Sequence, residues 1–537
     1  MDLFFENKNP REALFLIGAL FMATVMKSSL EFLFNWKKSL AIGRIRDKLV
    51  VKAFSDLVYN PFHLHIRERD RKKYGWVLTD AIIFIESVFG MFNSWVKQPF
   101  MLASTICALM VIAPFLTLVG ICLIPLGIPC VLFFKRKIKE FIAQRKMLLG
   151  MVEEMVSETI RCIRIVKVFG LEEREVERLQ QTVSQQRKIN ERNAFFVGLM
   201  SPVSEFLGLL GLAVIILVGS QDILSGAFTT GTFFVFIMSF LNIYRPLKDV
   251  SNGIMKYQLA LDSGRRLIIL QQNALKERKK SGTVPIEHFK DLRIEKLWFS
   301  YLEKPKVDDD YVMRDLTFTI RRGETVAIVG ATGAGKSTLC DLIVRLYRPQ
   351  RGTACVNGIP LDRIENQSCK KIFALCSQET IVFNNTLIED IRIARPESSR
   401  EEVLTISKAV GLTSYMNSLN RGLDTWIGDR GVHCSGGQRQ LIALARALLQ
   451  KPEVLILDEA MSGVDVEMVR MIWQNIRERL PGCTVLVISH HWHLIKHCDR
   501  VVVLSEGRIV KDTPVEAIED TGRFFREFHI GKDGSVR

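Results

Sequence analysis

The run Gly330-Ala331-Thr332-Gly333-Ala334-Gly335-Lys336-Ser337-Thr338 follows Glu324-Thr325-Val326-Ala327-Ile328-Val329, which reads as a buried strand, and precedes a helix-like stretch. The spacing is G-x-x-x-x-G-K-[ST], in the strand, loop and helix context that this pattern requires. Glycines let backbone N–H groups wrap phosphate oxygens, Lys336 reaches the β- and γ-phosphates, and Ser337 offers a hydroxyl to Mg²⁺. Gly330, Thr332, Gly333, Ala334, Gly335, Lys336, Ser337 and Thr338 are therefore the expected nucleotide loop. Alone, the pattern points to a nucleotide without saying what the nucleotide is used for.

Toward the C-terminus, Val454-Leu455-Ile456-Leu457-Asp458-Glu459 is an apolar strand ending in two adjacent carboxylates, and strand ends are where a doubly wound sheet binds ligands. Neighbouring side chains on a strand point oppositely, so the two carboxylates take different roles. Asp458 is expected in the Mg²⁺ shell, and Glu459 is expected to orient and deprotonate the attacking water. An isolated Asp-Glu would read as a cap or turn; after the loop at 330–338, in an alternating strand and helix domain, that reading gives way. A third strand at 484–488 ends in Ser489-His490 and brings an imidazole to the same sheet edge. His490, His491, His493 and His497 invite a zinc reading, but no cysteine pair or carboxylate completes a ligand set. His63 and His65 read as surface residues where a loop enters a helix.

The N-terminal half has a different character. Residues 98–134 hold 37 positions without a charged side chain, too long for one crossing of about 20 residues. Pro114 supplies the break, so the stretch reads as a helical hairpin with a tight external turn. The expected spans lie near 13–34, 90–113, 115–134, 194–220 and 228–246. The first is interrupted by Lys27 and Glu31, four apart on one helical face. Between the spans, residues 35–75 carry 11 Lys+Arg and residues 135–193 carry 14, the bias of cytoplasmic loops. Both loops are amphipathic and longer than a hairpin needs, so the helices are expected to continue well beyond the bilayer. Residues 273–282 read as a charged linker, which puts a membrane domain at 1–280 and a second domain at 281–537.

Net charge supports the division. The formal +15 of the 537 residues falls as +14 on residues 1–290 (39 basic, 25 acidic) and +1 on the remainder (34 basic, 33 acidic). Topology accounts for the basic runs, and no nucleic-acid partner is expected. Composition excludes disorder and a disulfide scaffold, and the 11 scattered cysteines form no C-x-x-C pair and read as reduced thiols. The first twelve residues sum to −1 and lack the basic start of a secretory signal.

On these motifs, with Cys434-Ser435-Gly436-Gly437-Gln438-Arg439-Gln440 as the signature just before the carboxylate strand, the chain resembles the ABC transporter superfamily. It is most like exporter half-transporters, in which a membrane domain is fused to an ATPase domain. Ile163-Arg164-Ile165-Val166-Lys167-Val168-Phe169-Gly170 and Ser201-Pro202-Val203-Ser204-Glu205-Phe206-Leu207-Gly208 look like the lipid A exporter-like subfamily. The resemblance implies an α-helical transmembrane domain of five or six spans with long cytoplasmic extensions, followed by an α/β P-loop ATPase domain. It further implies that Tyr301 stacks on the adenine of ATP, that Gln378 is the loop glutamine linking Mg²⁺ and water to the membrane domain, and that His490 contacts the γ-phosphate. Ser462-Gly463-Val464-Asp465 looks like the D-loop. Ser435, Gly437 and Gln438 would serve ATP held by a second copy, which implies a homodimer. Cys434 stands where the signature normally has Leu.

The implied activity is ATP-driven export or flipping of an amphipathic substrate, a lipid or lipid-linked saccharide, across the bacterial cytoplasmic membrane. A multidrug or peptide exporter and a non-transporting membrane ATPase are the alternatives. Segments near 60–66 and 169–179 would hold the helices that dock on the ATPase domains. Family members begin with a further span before 13–34, and charge parity favours such a span upstream of Met1 over a five-span protein.

Overall fold

The structure is a computed structural model and describes residues 10–66, 77–224, 230–279, 282–302, 305–378, 380–428 and 434–528; the basic run at 67–73 lies outside them. The chain forms two compact units, Met1–Val51 with Leu78–Arg266, and Lys52–Val77 with Leu267–Arg537. The second unit thus takes in a short N-terminal segment and the last turns of a long helix, in addition to residues 281–537.

In order along the chain, the helices are α1 (Pro10–Val58), α2 (Phe62–Ile66), α3 (Val77–Phe92), α4 (Gln98–Ile112), α5 (Pro114–Arg161), α6 (Ile163–Phe169), α7 (Glu172–Leu224), α8 (Thr230–Leu241) and α9 (Tyr244–Lys279). A π-turn at Asn93–Lys97 joins α3 to α4. Helices α1, α5 and α7 run 49, 48 and 53 residues, more than twice what a bilayer needs, so apolar and charged segments share one rod. The break expected at Pro114 is where α4 ends and α5 begins, Ala113 leaving helical geometry between them. A second break falls inside the stretch 228–246, at Asn242-Ile243. Pro246 explains it, since its ring clashes with the carbonyl four residues back and it has no N–H to donate.

Along the first unit, Met155, Glu158 and Thr159 of α5 meet Thr182, Arg178 and Glu175 of α7, an order that makes the pair antiparallel. Leu109, Ala113, Leu116, Ile215, Phe236 and Ile243 form its apolar core. Small residues set the approach of the helices: a Cβ on Gly120 would lie 2.4 Å from the ring of Phe240, and one on Gly219 2.4 Å from that of Phe233. Such close packing is how helices associate where lipid replaces water and hydrophobic burial adds no drive. Among the described residues, 17–58 and 77–112 are helical stretches long and apolar enough to cross a membrane, with shorter apolar helices at Glu205–Ser220 and Gly231–Leu241. Phe15, Phe21, Met22 and Phe32 of α1 are about three-quarters exposed, an apolar surface uncovered among the described residues.

Two expectations are corrected. The charged run at 273–282 is helical through Lys279, with Ala274 fully buried; Glu277 pairs with Arg348 at 3.2 Å, and the Arg278 guanidinium lies 3.9 Å from the ring of Tyr59. Those charges have partners inside the second unit, so the run is no solvated linker. The short helix expected near 169–179 lies instead at Ile163–Phe169. Gly170, in the left-handed region at φ 62°, ends it, and three glutamates in the first turn of α7 favour a new helix N-terminus.

The second unit continues with β1 (Asp291–Phe299), β2 (Met313–Arg321), β3 (Thr325–Val329), α10 (Lys336–Ile343), β4 (Arg351–Val356), β5 (Ile359–Pro360), α11 (Asn366–Ile372), β6 (Phe373–Cys376), α12 (Leu387–Arg392), α13 (Arg400–Ala409) and α14 (Thr413–Ser418). After these come α15 (Gly436–Leu449), β7 (Val454–Asp458), α16 (Val466–Arg479), β8 (Thr484–Ile488), α17 (Trp492–Ile495), β9 (Arg500–Ser505), β10 (Arg508–Pro514) and α18 (Thr521–Glu527). The main sheet has the order β10-β9-β3-β8-β7-β6, parallel except for the edge strand β10. Every residue of β3, β7 and β8 is buried, as expected of parallel strands covered on both faces. A second, antiparallel sheet, β2-β1-β4-β5, packs against one face of it through a shared core. Because β3, β8 and β7 are adjacent and parallel, the loops leaving their C-terminal ends meet at one edge.

Candidate active site

That edge carries Gly330, His490 and Glu459, each one or two residues past its strand. Gly330 is needed for close approach: a Cβ there would sit 2.1 Å from the Leu504 carbonyl oxygen. The loop ends at Gly335, the N-cap of α10, so the free N–H groups at that helix start face the loop's interior. Lys336 folds over the loop and donates from Nζ to the carbonyls of Gly330 and Ala331, both at 2.9 Å. Burial pulls its pKa below the usual lysine value, against the opposing pull of Glu459 and Asp458.

Asp458 is 5% exposed, and its Oδ1 has no hydrogen-bond partner. Burial raises its pKa, while a hydrogen bond from Ser337 lowers it. A buried carboxylate oxygen without a donor, beside a hydroxyl, is what a hard divalent cation requires, so these residues fit Mg²⁺. The Glu459 backbone, just past the strand, is left-handed, at φ 49°. Its Oε2 accepts from Gln378 Nε2 at 2.7 Å, and its Oε1 lies 3.4 Å from His490 Nδ1. Residues 81 and 31 positions away in sequence thus converge on one carboxylate.

Tyr301 Oη and Thr338 Oγ1 are hydrogen-bonded at 2.8 Å, and burial raises the phenol's pKa. The ring stands edge-on to Phe299 at 5.0 Å and to Tyr347 at 5.2 Å, yet the residue keeps 46% exposure at the mouth of the loop. Tyr347 in turn meets the Phe62 ring edge-on at 5.6 Å, which joins α2 to the aromatic cluster. Phe62 falls in the segment near 60–66 expected to dock, but its partner Tyr347 belongs to no readable motif; an aromatic pair separated by 285 positions leaves no local signal. Asp341 was also missed: burial and the nearby Asp458 raise its pKa to about 6.

Ser435, Gly437 and Gln438 lie elsewhere in the unit, at the start of α15. Ser435 Oγ accepts from the Gln438 N–H at 3.2 Å and Gln438 Oε1 accepts from the Ser435 N–H at 2.8 Å, a reciprocal cap that presents the helix N-terminus. A Cβ on Gly437 would be 3.2 Å from the Gly463 carbonyl, so this end abuts Ser462-Gly463. Cys434 is buried, its thiol 2.9 Å from Tyr415 Oη. The side chain at 434 therefore belongs to the core, directly before the Ser435 cap.

Comparison with known proteins agrees with both units. The family model described as ABC transporter transmembrane region matches residues 1–247, and that described as ABC transporter matches residues 313–462. An ATP-dependent lipid A-core flippase of Desulfotalea psychrophila is 32% identical, over 74% of this chain and 68% of its own. One from Chromobacterium violaceum is 26% identical over 98% of this chain and 89% of its own. Among solved structures, a bacterial Atm1-family ABC exporter with ATP bound superposes with a TM-score of 0.80 at 21% identity, covering 96% of this chain and 91% of that one.

Proposed function

The chain belongs to the ABC transporter family as an exporter-type half-transporter that couples ATP hydrolysis to transport, and from that premise we propose what it moves and which residues do the work. The substrate is an amphipathic lipid or lipid-linked saccharide, flipped across the bacterial cytoplasmic membrane by two copies of the chain. Support for a lipid comes from the flippase relatives and from the exposed apolar helices, which would let a lipid approach sideways from the bilayer.

For the hydrolytic step, the observation that carries most is the convergence of Gln378 and His490 on Glu459 beside the phosphate loop. Glu459 is the base for the attacking water, Gln378 holds its carboxylate and reports to the membrane domain, and His490 faces the γ-phosphate. Gly330, Thr332, Gly333, Ala334, Gly335 and Thr338 cradle the phosphates, Lys336 neutralises them, and Tyr301 supports the adenine. Ser337, Asp458 and Gln378 would hold Mg²⁺, which would supply neutralisation of the phosphates' negative charge when bound. Ser435, Gly437 and Gln438 complete the site of the second copy. Binding energy available only in the closed pair biases the membrane helices, and hydrolysis removes the bias.

Glu459→Gln keeps the hydrogen-bonding shape but removes the base. ATP binding is expected to persist while turnover falls about 10²–10⁴-fold, the usual contribution of a general base. Wild-type turnover in the purified variant would refute the assignment. For the substrate, ATPase activity in nanodiscs across a lipid and drug panel, beside a flipping assay, is expected to respond to lipid; a response to drugs alone would overturn the lipid reading.

A further inference from the structure

We propose that Arg446 and Asp390 form a positioning pair that locks the segment leaving Gln378 onto the C-terminal end of α15, so that Gln378 and Ser435 move as one body. This rests on the roles proposed above for those two residues: one serves the chain's own nucleotide site, the other serves the partner's. A device that ties them would make the two sites of a dimer close together.

The geometry is specific. Arg446 lies in the last turn of α15, about ten residues and hence roughly 15 Å along the helix from the Ser435 cap. Its guanidinium donates from Nε to the Asp390 carbonyl at 2.9 Å and from Nη1 to the Ile381 carbonyl at 2.7 Å, and Nη2 meets the Asp390 carboxylate. Asp390 on α12 is fully buried, and its Oδ1 also accepts the Phe383 N–H at 2.8 Å. The pair therefore holds both ends of the tripeptide 381–383, Arg446 the Ile381 carbonyl and Asp390 the Phe383 N–H, three residues downstream of Gln378, while the Val382 side chain is buried in the core that α15 helps to build. The other end of the helix is fixed as well. Gln440 Nε2 lies 3.4 Å from the Glu459 carbonyl, and Gln440 Oε1 accepts the Gly463 N–H at 3.3 Å. Helix α15 is thus a rod touching the signature, the D-loop and the segment after Gln378.

A buried ion pair is a poor stabiliser, because matched apolar residues often replace it without loss. That weakness provides the test, since stability and positioning can be separated. A lysine keeps the charge at 446 but cannot make three planar contacts. In full-length protein in nanodiscs, Arg446→Lys is expected to lower kcat at least tenfold while ATP affinity, read by displacement of a fluorescent nucleotide, changes less than threefold. The double variant Arg446→Met with Asp390→Leu removes both charges together. It leaves the Ile381 and Asp390 carbonyls and the Phe383 N–H without their side-chain partners, so it is expected to melt lower than the wild type and, below its Tm, to turn over at least tenfold slowly. Wild-type kcat in that double variant, measured below its Tm, would overturn the proposal, leaving the pair a mere packing feature. If the double variant does not fold, Asp390→Asn decides. It keeps an acceptor oxygen, and it is expected to fold, to bind ATP normally and to lose kcat by less than Arg446→Lys; full activity in both overturns the proposal. The underlying reading is tested separately by Glu459→Gln. Hydrolysis by that variant would remove the site assignment, whereas an inactive Glu459→Gln beside fully active Arg446 variants would remove only the pair's role.

Discussion

Phe62→Ala is the perturbation that isolates the docking of α2 from the chemistry of the nucleotide site. Phe62 is half-buried, packs against the core of the antiparallel sheet and meets Tyr347 edge-on at 5.6 Å. The edge-to-face pair contributes about 0.5–1.5 kcal/mol beyond its area. Half of the ~1.5–3 kcal/mol for a fully buried phenylalanine adds roughly 1 kcal/mol. The sum, about 2 kcal/mol, is on the order of a 30-fold change in the docked equilibrium, since 1.4 kcal/mol is a factor of ten. The remaining anchors, Asn60 donating to the Leu270 carbonyl at 3.2 Å and Arg278 over Tyr59, hold the neighbouring turn and keep the unit folded. The expected result is a basal ATPase rate near wild type with lipid stimulation reduced several-fold, measured in nanodiscs at saturating ATP. Phe62→Leu retains the apolar area without the ring edge and is expected to fall between the two. Undiminished stimulation in Phe62→Ala would refute the view that this contact transmits anything.

Asp341 gives a pH-dependent prediction. Its folded pKa of about 6 lies above the ordinary 3.8, so between about pH 4 and 6 the folded protein holds a proton that the unfolded chain has lost. Stability from this group therefore declines as pH rises through that window and stays low above it. Asp341→Asn is expected to raise the Tm of nucleotide-free protein at pH 8 and to lose that advantage toward pH 5; a pH-independent gain would contradict the assignment. In the first unit, Asp80 is 4% exposed and receives Nε and Nη2 of Arg266, both at 2.5 Å, but Arg266 remains 44% exposed. Asp80→Asn is expected to cost about 1–3 kcal/mol, below the 3–5 kcal/mol for breaking a fully buried pair, read as a lower Tm in detergent; an unchanged Tm would show that the pair contributes nothing.

What was legible in the sequence was local. The loop at 330–338 announces itself because each glycine, the lysine and the serine act within nine consecutive residues between a strand and a helix. The carboxylates at 458 and 459 are readable for the same reason, and the break at Pro114 follows from a missing N–H. Where function depends on partners far apart in the chain, composition misled. The run Lys276-Glu277-Arg278-Lys279-Lys280 has the charge density of a solvated linker, yet Glu277 and Arg278 are held by Arg348 and Tyr59, which nothing local predicts.

The same distinction separates the two halves of the chain. An excess of basic residues does not by itself discriminate a nucleic-acid surface from a cytoplasmic helix, because both place lysine and arginine in water. What discriminates them is where those charges sit relative to apolar length. In α5 a basic segment, and in α7 a segment of balanced charge, joins an apolar one within a single helix, and some of the charges are paired along the helix, as Lys137 with Glu140 at 3.1 Å and Arg187 with Glu191 at 3.5 Å. A charge spent on a helical neighbour three or four residues away is less available to a phosphate backbone, while it still favours the aqueous side of a bilayer over its interior. The rods therefore need no nucleic-acid partner to explain their charge. By contrast, Asp390 and Arg446 sit in the nearly neutral half, where net charge offers no clue, and their removal is expected to slow turnover without altering topology.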